Sequence, residues 1–186
     1  MIPKILAKAS RFSFCTLFCL TFNSVAVAQH SFNIEYYELD HPKSIEALLK
    51  QLNERKNKKG IDTDAETTTN YAWKILTTAS SNKGSCKIEE ILLDVVTKIT
   101  MPKVSSNDAV ILNYWAHASS LLLEHELMHY ENHRQISHKI QQTAYSFEGP
   151  CLTLRQDFRQ HVNTIFKIHM QIDIALDDEY KNAVNE

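Results

Sequence analysis

The sequence predicts a single α+β domain, in which a small, mainly antiparallel sheet packs against a long helix carrying His125-Glu126-Leu127-Met128-His129 and against a C-terminal helix. Three observations predict it. Apolar residues alternate or follow helical spacing in the order β-α-β-β-α-α. Pro102 divides a β-rich half from an almost continuously helical one. Residues 29–186, which remain once a cleavable N-terminal segment is set aside, are long enough for one core and show no repeat or linker that would divide them.

Taken in order, Phe32, Ile34, Tyr36 and, less strictly, Leu39 alternate as in a strand over 31–39, which His41-Pro42 ends. Ser44 caps a helix whose Ile45, Leu48, Leu49 and Leu52 form an i, i+3, i+4, i+7 stripe, and Gly60 marks the turn beyond it. The basic run Arg55-Lys56-Asn57-Lys58-Lys59 reads as a solvated turn. Tyr71, Trp73 and Ile75 among threonines give a strand over 67–78. Ile88, Ile91, Val95, Val96 and Ile99 give a second over 86–100, stopped by Pro102, although their spacing also fits a helix. The turn-forming residues 79–85 suit a hairpin between the two.

Beyond Pro102, Ser105, Ser106 and Asn107 are candidate N-caps for a helix over about 108–145, with room for a break, whose Trp115, Leu121, Leu122 and Met128 face a core. Gly149-Pro150 ends it. A last helix over about 153–181 buries Phe158, Ile165, Phe166 and Ile172.

Residues 1–28 have the form of a secretory signal peptide. Lys4, Lys8 and Arg11 precede an apolar stretch from Phe12 to Phe22, and Ala26-Val27-Ala28 has the small-x-small form of a cleavage site. Thr16, Thr21 and Asn23 make the stretch a poorer membrane anchor. Phe14 and Phe18 before Cys15 and Cys19 do not suit lipid attachment. The expectation is an exported protein, periplasmic or secreted, with no stable membrane anchor after cleavage. The segment holds three basic residues and no acidic one, so its loss moves the formal net charge from −2 to −5. An acidic mature chain argues against nucleic acid as a partner. Two cysteines leave with the signal, and the remaining pair, Cys86 and Cys151, suits one disulfide in an exported protein. The alternative, a pair of metal-binding thiolates, lacks a second Cys or His at ligand spacing.

H-E-x-x-H is the pattern most informative about chemistry. On a helix, residues four apart share a face, so His125 and His129 can hold one zinc ion while Glu126 reaches a water beside it as general base. Pro and Gly are absent from the flanks over 116–135. A solvated helix face is the bland alternative. A catalytic zinc ordinarily takes three protein ligands. His133 lies eight residues past His125, about 12 Å along a straight helix, so all three histidines do not converge readily on one ion. Gln135 stands where the longer metzincin pattern requires histidine. His133 is therefore expected beside the ligands or on the surface. Asp157, His161, His169, Asp173 and Asp177 recur at multiples of four on the last helix, and spacing alone does not choose among them.

The chain resembles a bacterial family of predicted secreted zinc-dependent proteases, a domain of unknown function similar in its motif to the zincin peptidases. The likeness spans most of 29–186: a cysteine-led strand ending near a proline (Cys86 to Pro102), Trp115 ahead of H-E-x-x-H, the later Cys151, and an acidic C-terminal helix. That helix in the family ends D-x-x-Y-D-x-x-T-x-H-G. Here Asp173 and Asp177 match the aspartates, whereas Leu176, Tyr180, Asn182 and Ala183 replace the tyrosine, threonine, histidine and glycine.

The resemblance implies a zincin-like fold and Asp177 as third ligand. A family site built on the lost histidine would instead imply weak zinc binding. The resulting expectation is an exported zinc metallopeptidase acting on a peptide or protein, with Glu126 catalytic and His125, His129 and Asp177 holding Zn2+. The alternative is a non-catalytic periplasmic binding or interaction domain on a degenerate zincin scaffold.

Overall fold

The computed structural model describes residues 28–59 and 63–185. Residues 1–27 of the expected signal segment and the turn expected at Gly60 lie outside the described residues. Strand β1 (Gln29–Leu39) leads to helix α1 (Ile45–Lys59), then to β2 (Glu66–Ala79) and β3 (Ser85–Val104). The long helix α2 (Ala109–Ser146), the short strand β4 (Glu148–Pro150) and helix α3 (Leu154–Asn185) complete the chain. It is an α+β fold.

Long β3 is the organising strand, paired with β1, β2 and β4. β2 and β3 form the expected hairpin, antiparallel from Glu66↔Thr100 to Ala79↔Cys86 with an irregularity at Leu76/Thr77. Gly84 adopts a positive φ of 83°, a conformation glycine takes without steric penalty. β4 pairs antiparallel with the start of β3.

Two of the sequence expectations are corrected in the sheet. β1 runs parallel to β3, from Gln29↔Asp94 to Leu39↔Val104, so the sheet is mixed. Alternation marks a strand but carries no direction. Pro102 also does not stop β3, which continues to Val104. Its β2 partner ends at Thr100, leaving an open side where a proline's missing N–H costs no ladder bond.

Side chains from one face of β2 and β3 meet both long helices. Ile75, Ile88, Ile91, Leu93 and Val95 pack with Ile136, Ile140 and Ala144 of α2 and with Leu154, Phe158, Val162 and Ile165 of α3. A second cluster joins Leu39, Leu48, Leu52, Val104 and Ile111, with Trp115 against it. A third, formed by Ala65, Ile99, Met101 and Leu122 with Tyr180 packed on it, lies at the other end of the helix pair.

α2 is unbroken and capped by Asp108, whose Oδ1 accepts from Val110 N at 2.8 Å, one residue beyond the expected caps. Leu122 is buried as expected, but Leu121 and Met128 are 44% and 41% exposed. The inward face runs through Leu122, His125, Glu126, His129, Asn132 and Ile136, and polar residues occupy the positions that an apolar pattern would assign to leucine or methionine. On α3, Phe158 and Ile165 are buried, and Phe166 packs against the main cluster. Ile172 is exposed, because the second half of α3 presents its polar edge to α2.

Arg55 is not a free surface charge, since it lies over the Tyr37 ring at 3.3 Å, and Lys56 pairs with Asp64 at 3.2 Å. Cys86 and Cys151 form a disulfide across 65 residues, with Cα atoms 4.8 Å apart. By restricting the unfolded chain it contributes about 2–4 kcal/mol.

Candidate metal centre

The inward face of α2 and the second half of α3 bring His125, His129 and Asp177 together. His125 Nε2 and His129 Nε2 are 3.1 Å apart, and Asp177 Oδ1 lies 3.2 Å from the first and 3.1 Å from the second. The two histidines are one helical turn apart, which places their rings on the same face. Asp177 reaches them because α3 packs along α2.

These three atoms could hold a metal ion. Zinc–ligand bonds near 2.0–2.1 Å in tetrahedral geometry put neighbouring donor atoms ~3.3 Å apart, close to the triangle found. The proton arrangement also fits. Asp173 Oδ1 lies 2.9 Å from His129 Nδ1, and a carboxylate can only accept, so in the neutral His129 ring the proton resides on Nδ1 and the Nε2 lone pair faces His125 and Asp177. Converging lone pairs repel one another unless a cation or a shared proton lies between them. Two imidazole nitrogens and one carboxylate oxygen form a donor set suited to zinc, with a carboxylate behind one histidine as metal sites commonly have.

Behind the triangle is a polar network. Asn132 Nδ2 donates to Asp173 Oδ1 at 2.8 Å and to the His169 carbonyl at 3.1 Å, while Asn132 Oδ1 is bonded to His169 Nδ1. Burial alone would raise the Asp173 pKa, but the hydrogen bonds from His129 and Asn132 outweigh it and hold the carboxyl below its usual range. Burial opposes charge on His129 too, and there the neighbouring Asp173, Asp177 and Glu126 prevail and raise its pKa. His125 is lowered, first by burial and then by His129. Its ring stacks on Tyr180 at 4.4 Å between centroids, and its Nδ1 is buried with no hydrogen-bond partner among the described residues.

Glu126 is only 2% exposed. Thr67 Oγ1, on the second residue of β2, donates to Glu126 Oε2 at 2.6 Å. Burial nevertheless raises the glutamate pKa against this bond. A carboxyl shifted upward is better matched to taking and returning a proton near neutral pH. The side chain borders a cleft of about 200 Å³ lined by Glu66, Thr67, Glu126, His133, Asp173 and Asp177, among others.

The sequence-selected residues therefore separate clearly. His125, His129 and Asp177 meet, with Glu126 beside them. Of the other members of the α3 stripe, Asp157 accepts from Thr153 at the helix start, His161 lies against Phe147, His169 bonds Asn132, and Asp173 bonds His129. His133 is outside the donor triangle, as its distance along the helix requires, but it lines the cleft. Thr67, Asn132 and Tyr180 were missed as site residues. Asn132, three residues after His129 and on the same helical face, carried a usable signal; Thr67 is an ordinary strand threonine by sequence. Among the described residues no helix is long and apolar enough to cross a membrane.

No curated protein and no solved structure matches the chain. A family model described as "Bacterial protein of unknown function (DUF922)" matches residues 34–182. With nearly all the described residues inside that match, the chain belongs to this bacterial family.

Proposed function

We propose that the protein is an exported zinc-dependent metallopeptidase with a zincin-like arrangement of its catalytic helix. The observation that carries this reading is the convergence of His125 Nε2, His129 Nε2 and Asp177 Oδ1 within 3.2 Å of one another, beside the buried carboxyl of Glu126. A zinc ion held there supplies Lewis acidity, polarising a substrate carbonyl and making water easier to deprotonate. Glu126 takes a proton from the attacking water as the new C–O bond forms. It returns that proton to the departing nitrogen as the C–N bond breaks. Thr67 holds the carboxyl in place, and Asp173 keeps His129 in the tautomer whose lone pair faces the donor triangle.

The substrate class that suits this cleft is an extended peptide or protein segment. Among the described residues β2 pairs with β3 on one side only, and its first residues, Glu66 and Thr67, line the cleft. Its other edge therefore offers backbone groups to an extended chain at the site, a recurrent mode of peptide binding. Export is supported by the Cys86–Cys151 bridge, which suits an oxidising compartment.

The alternative of a non-catalytic domain on a degenerate scaffold rests on the departures at Leu176, Tyr180, Asn182 and Ala183. None of these belongs to the donor triangle: Asn182 and Ala183 are exposed, and Tyr180 supports His125 by stacking. The test is peptide cleavage by the zinc-loaded protein against a diverse peptide library, with Glu126→Gln alongside. Cleavage that drops at least about 100-fold in Glu126→Gln while zinc is retained supports the peptidase. Bound zinc with no cleavage by the wild type contradicts it and favours the binding domain.

A further inference from the structure

The two histidines of the donor triangle are held by different means. The torsion that turns an imidazole about its Cβ–Cγ bond has broad wells, so the direction in which the ring points has to be set by contacts. For His129 that contact is a hydrogen bond, with Asp173 Oδ1 2.9 Å from Nδ1 and Nε2 left for the triangle. His125 has no such acceptor. Its Nε2 belongs to the triangle, and its Nδ1 is buried with no hydrogen-bond partner among the described residues.

What His125 has instead is an aromatic face. The phenol ring of Tyr180 lies 4.4 Å from the imidazole between centroids, with only 24° between the two planes. Tyr180 follows Asp177 by three residues on α3, so the carboxylate that joins the triangle and the ring that covers His125 come from one helical face. The phenol is anchored in turn against the third apolar cluster, formed by Ala65 before β2, Ile99 and Met101 of β3 and Leu122 of α2. The edge-on contact of the His125 and His129 rings at 4.7 Å links the two ligands to each other but ties neither to the rest of the fold.

Resting on the zinc-site reading above, we propose that Tyr180 is the positioning residue of the first histidine ligand, its ring face holding His125 with Nε2 toward His129 and Asp177. Stacking does for His125 what the Asp173 hydrogen bond does for His129. Contact between two ring faces comes from dispersion and apolar area and makes no demand on the hydroxyl. The phenol oxygen is therefore dispensable to this role, and the flat ring is not. An aliphatic side chain at 180 would keep the apolar cluster filled while removing the face against which the imidazole lies.

The test is zinc affinity, by competition with a chelator, of wild type, Tyr180→Phe, Tyr180→Leu and a control in the same apolar cluster, Ile99→Ala, with Tyr180→Leu repeated in a His125→Ala background. The expected result is an affinity within about twofold of wild type in Tyr180→Phe and a loss of about 10–100-fold in Tyr180→Leu, the range typical of groups that orient a metal ligand. Ile99→Ala lowers the melting temperature while the folded protein keeps wild-type affinity, which separates damage to the cluster from damage to the ligand. In the His125→Ala background, Tyr180→Leu costs no more than about twofold further, because the ligand through which the ring acts is gone.

Wild-type affinity in Tyr180→Leu would overturn the proposal. So would an equal loss in Tyr180→Phe, which would assign the effect to the hydroxyl, or a loss of the same size in the His125→Ala background, which would assign it to the fold at large. A wild type that binds no zinc refutes the zinc-site reading and this role together. Zinc bound as tightly without the ring as with it refutes this role alone.

Discussion

The two halves of the α2–α3 contact are held by opposite kinds of chemistry. Toward the start of α3, Leu154, Phe158, Val162 and Ile165 bury against Ile136, Ile140 and Ala144, with sheet residues beneath. Toward its end, His169, Asp173, Asp177 and Tyr180 meet Asn132, His129 and His125 through hydrogen bonds, close polar contacts and one ring stack. The first half is stable because apolar surface leaves water, at roughly 1.5–3 kcal/mol per large side chain. The second half gathers polar groups whose mutual arrangement is costly unless each is paired or shared with a cation. A rigid apolar half thus sets the register in which a polar half can be assembled.

The largest effects should come from breaking the apolar half. Phe158 is almost wholly buried, and Phe158→Ala should cost about 3–5 kcal/mol of unfolding free energy in urea titration. Zinc affinity of the fraction that remains folded should be close to wild type. A marked loss of affinity there would mean that the two halves are not separable. Replacing both Cys86 and Cys151 by serine should cost about 2–4 kcal/mol, since the bridge ties the start of β3 to the turn before α3. Thermal melts under oxidising and reducing conditions would read that difference.

Asp173→Asn acts on the polar half alone. It removes the charged acceptor that fixes the His129 tautomer and should weaken zinc binding by 10–100-fold, measured with a competing chelator. A subtler contrast is expected in amide hydrogen exchange: removing zinc should raise exchange over residues 169–180 of α3 while leaving 154–165 protected. Uniform loss along the helix would erase the distinction. The smallest effect belongs to Asn182→Ala, which should leave zinc affinity unchanged because that exposed side chain is outside the donor set.

The same contrast explains what could be read from the residues. Ser44 capping a leucine-spaced helix, the threonine-rich strand before a turn, and the H-E-x-x-H helix are local patterns with local causes, and the structure has them. Phe158 and Ile165 were legible because an apolar half has an apolar stripe. The parallel pairing of β1 was not, because strand direction depends on a partner 65 residues away. β4, at three residues, is too short for any period.

Site legibility followed the same division. His125, Glu126 and His129 lie within one turn and announce themselves by spacing. Asp177 stood out from a stripe of five polar candidates only through the family likeness, because the packing register of α3 on α2 decides which member reaches the histidines. Leu121 and Met128 were misassigned to the core for a related reason: the face that α2 turns inward is polar at the centre, where His125, Glu126, His129 and Asn132 displace aliphatic residues. Thr67 carries no mark in sequence, since its role arises only when β2 is laid beside Glu126.

The central claim is that His125, His129 and Asp177 form one zinc site. It is tested most directly by metal content and zinc affinity of the protein prepared without chelator, set beside His129→Ala and Asp177→Ala. The account predicts one equivalent of zinc in the wild type and at least about 100-fold weaker binding in either variant, with the apolar half of the helix pair still folded by hydrogen exchange. A wild type that binds no zinc, or an Asp177→Ala variant that binds it as tightly as the wild type, would contradict it.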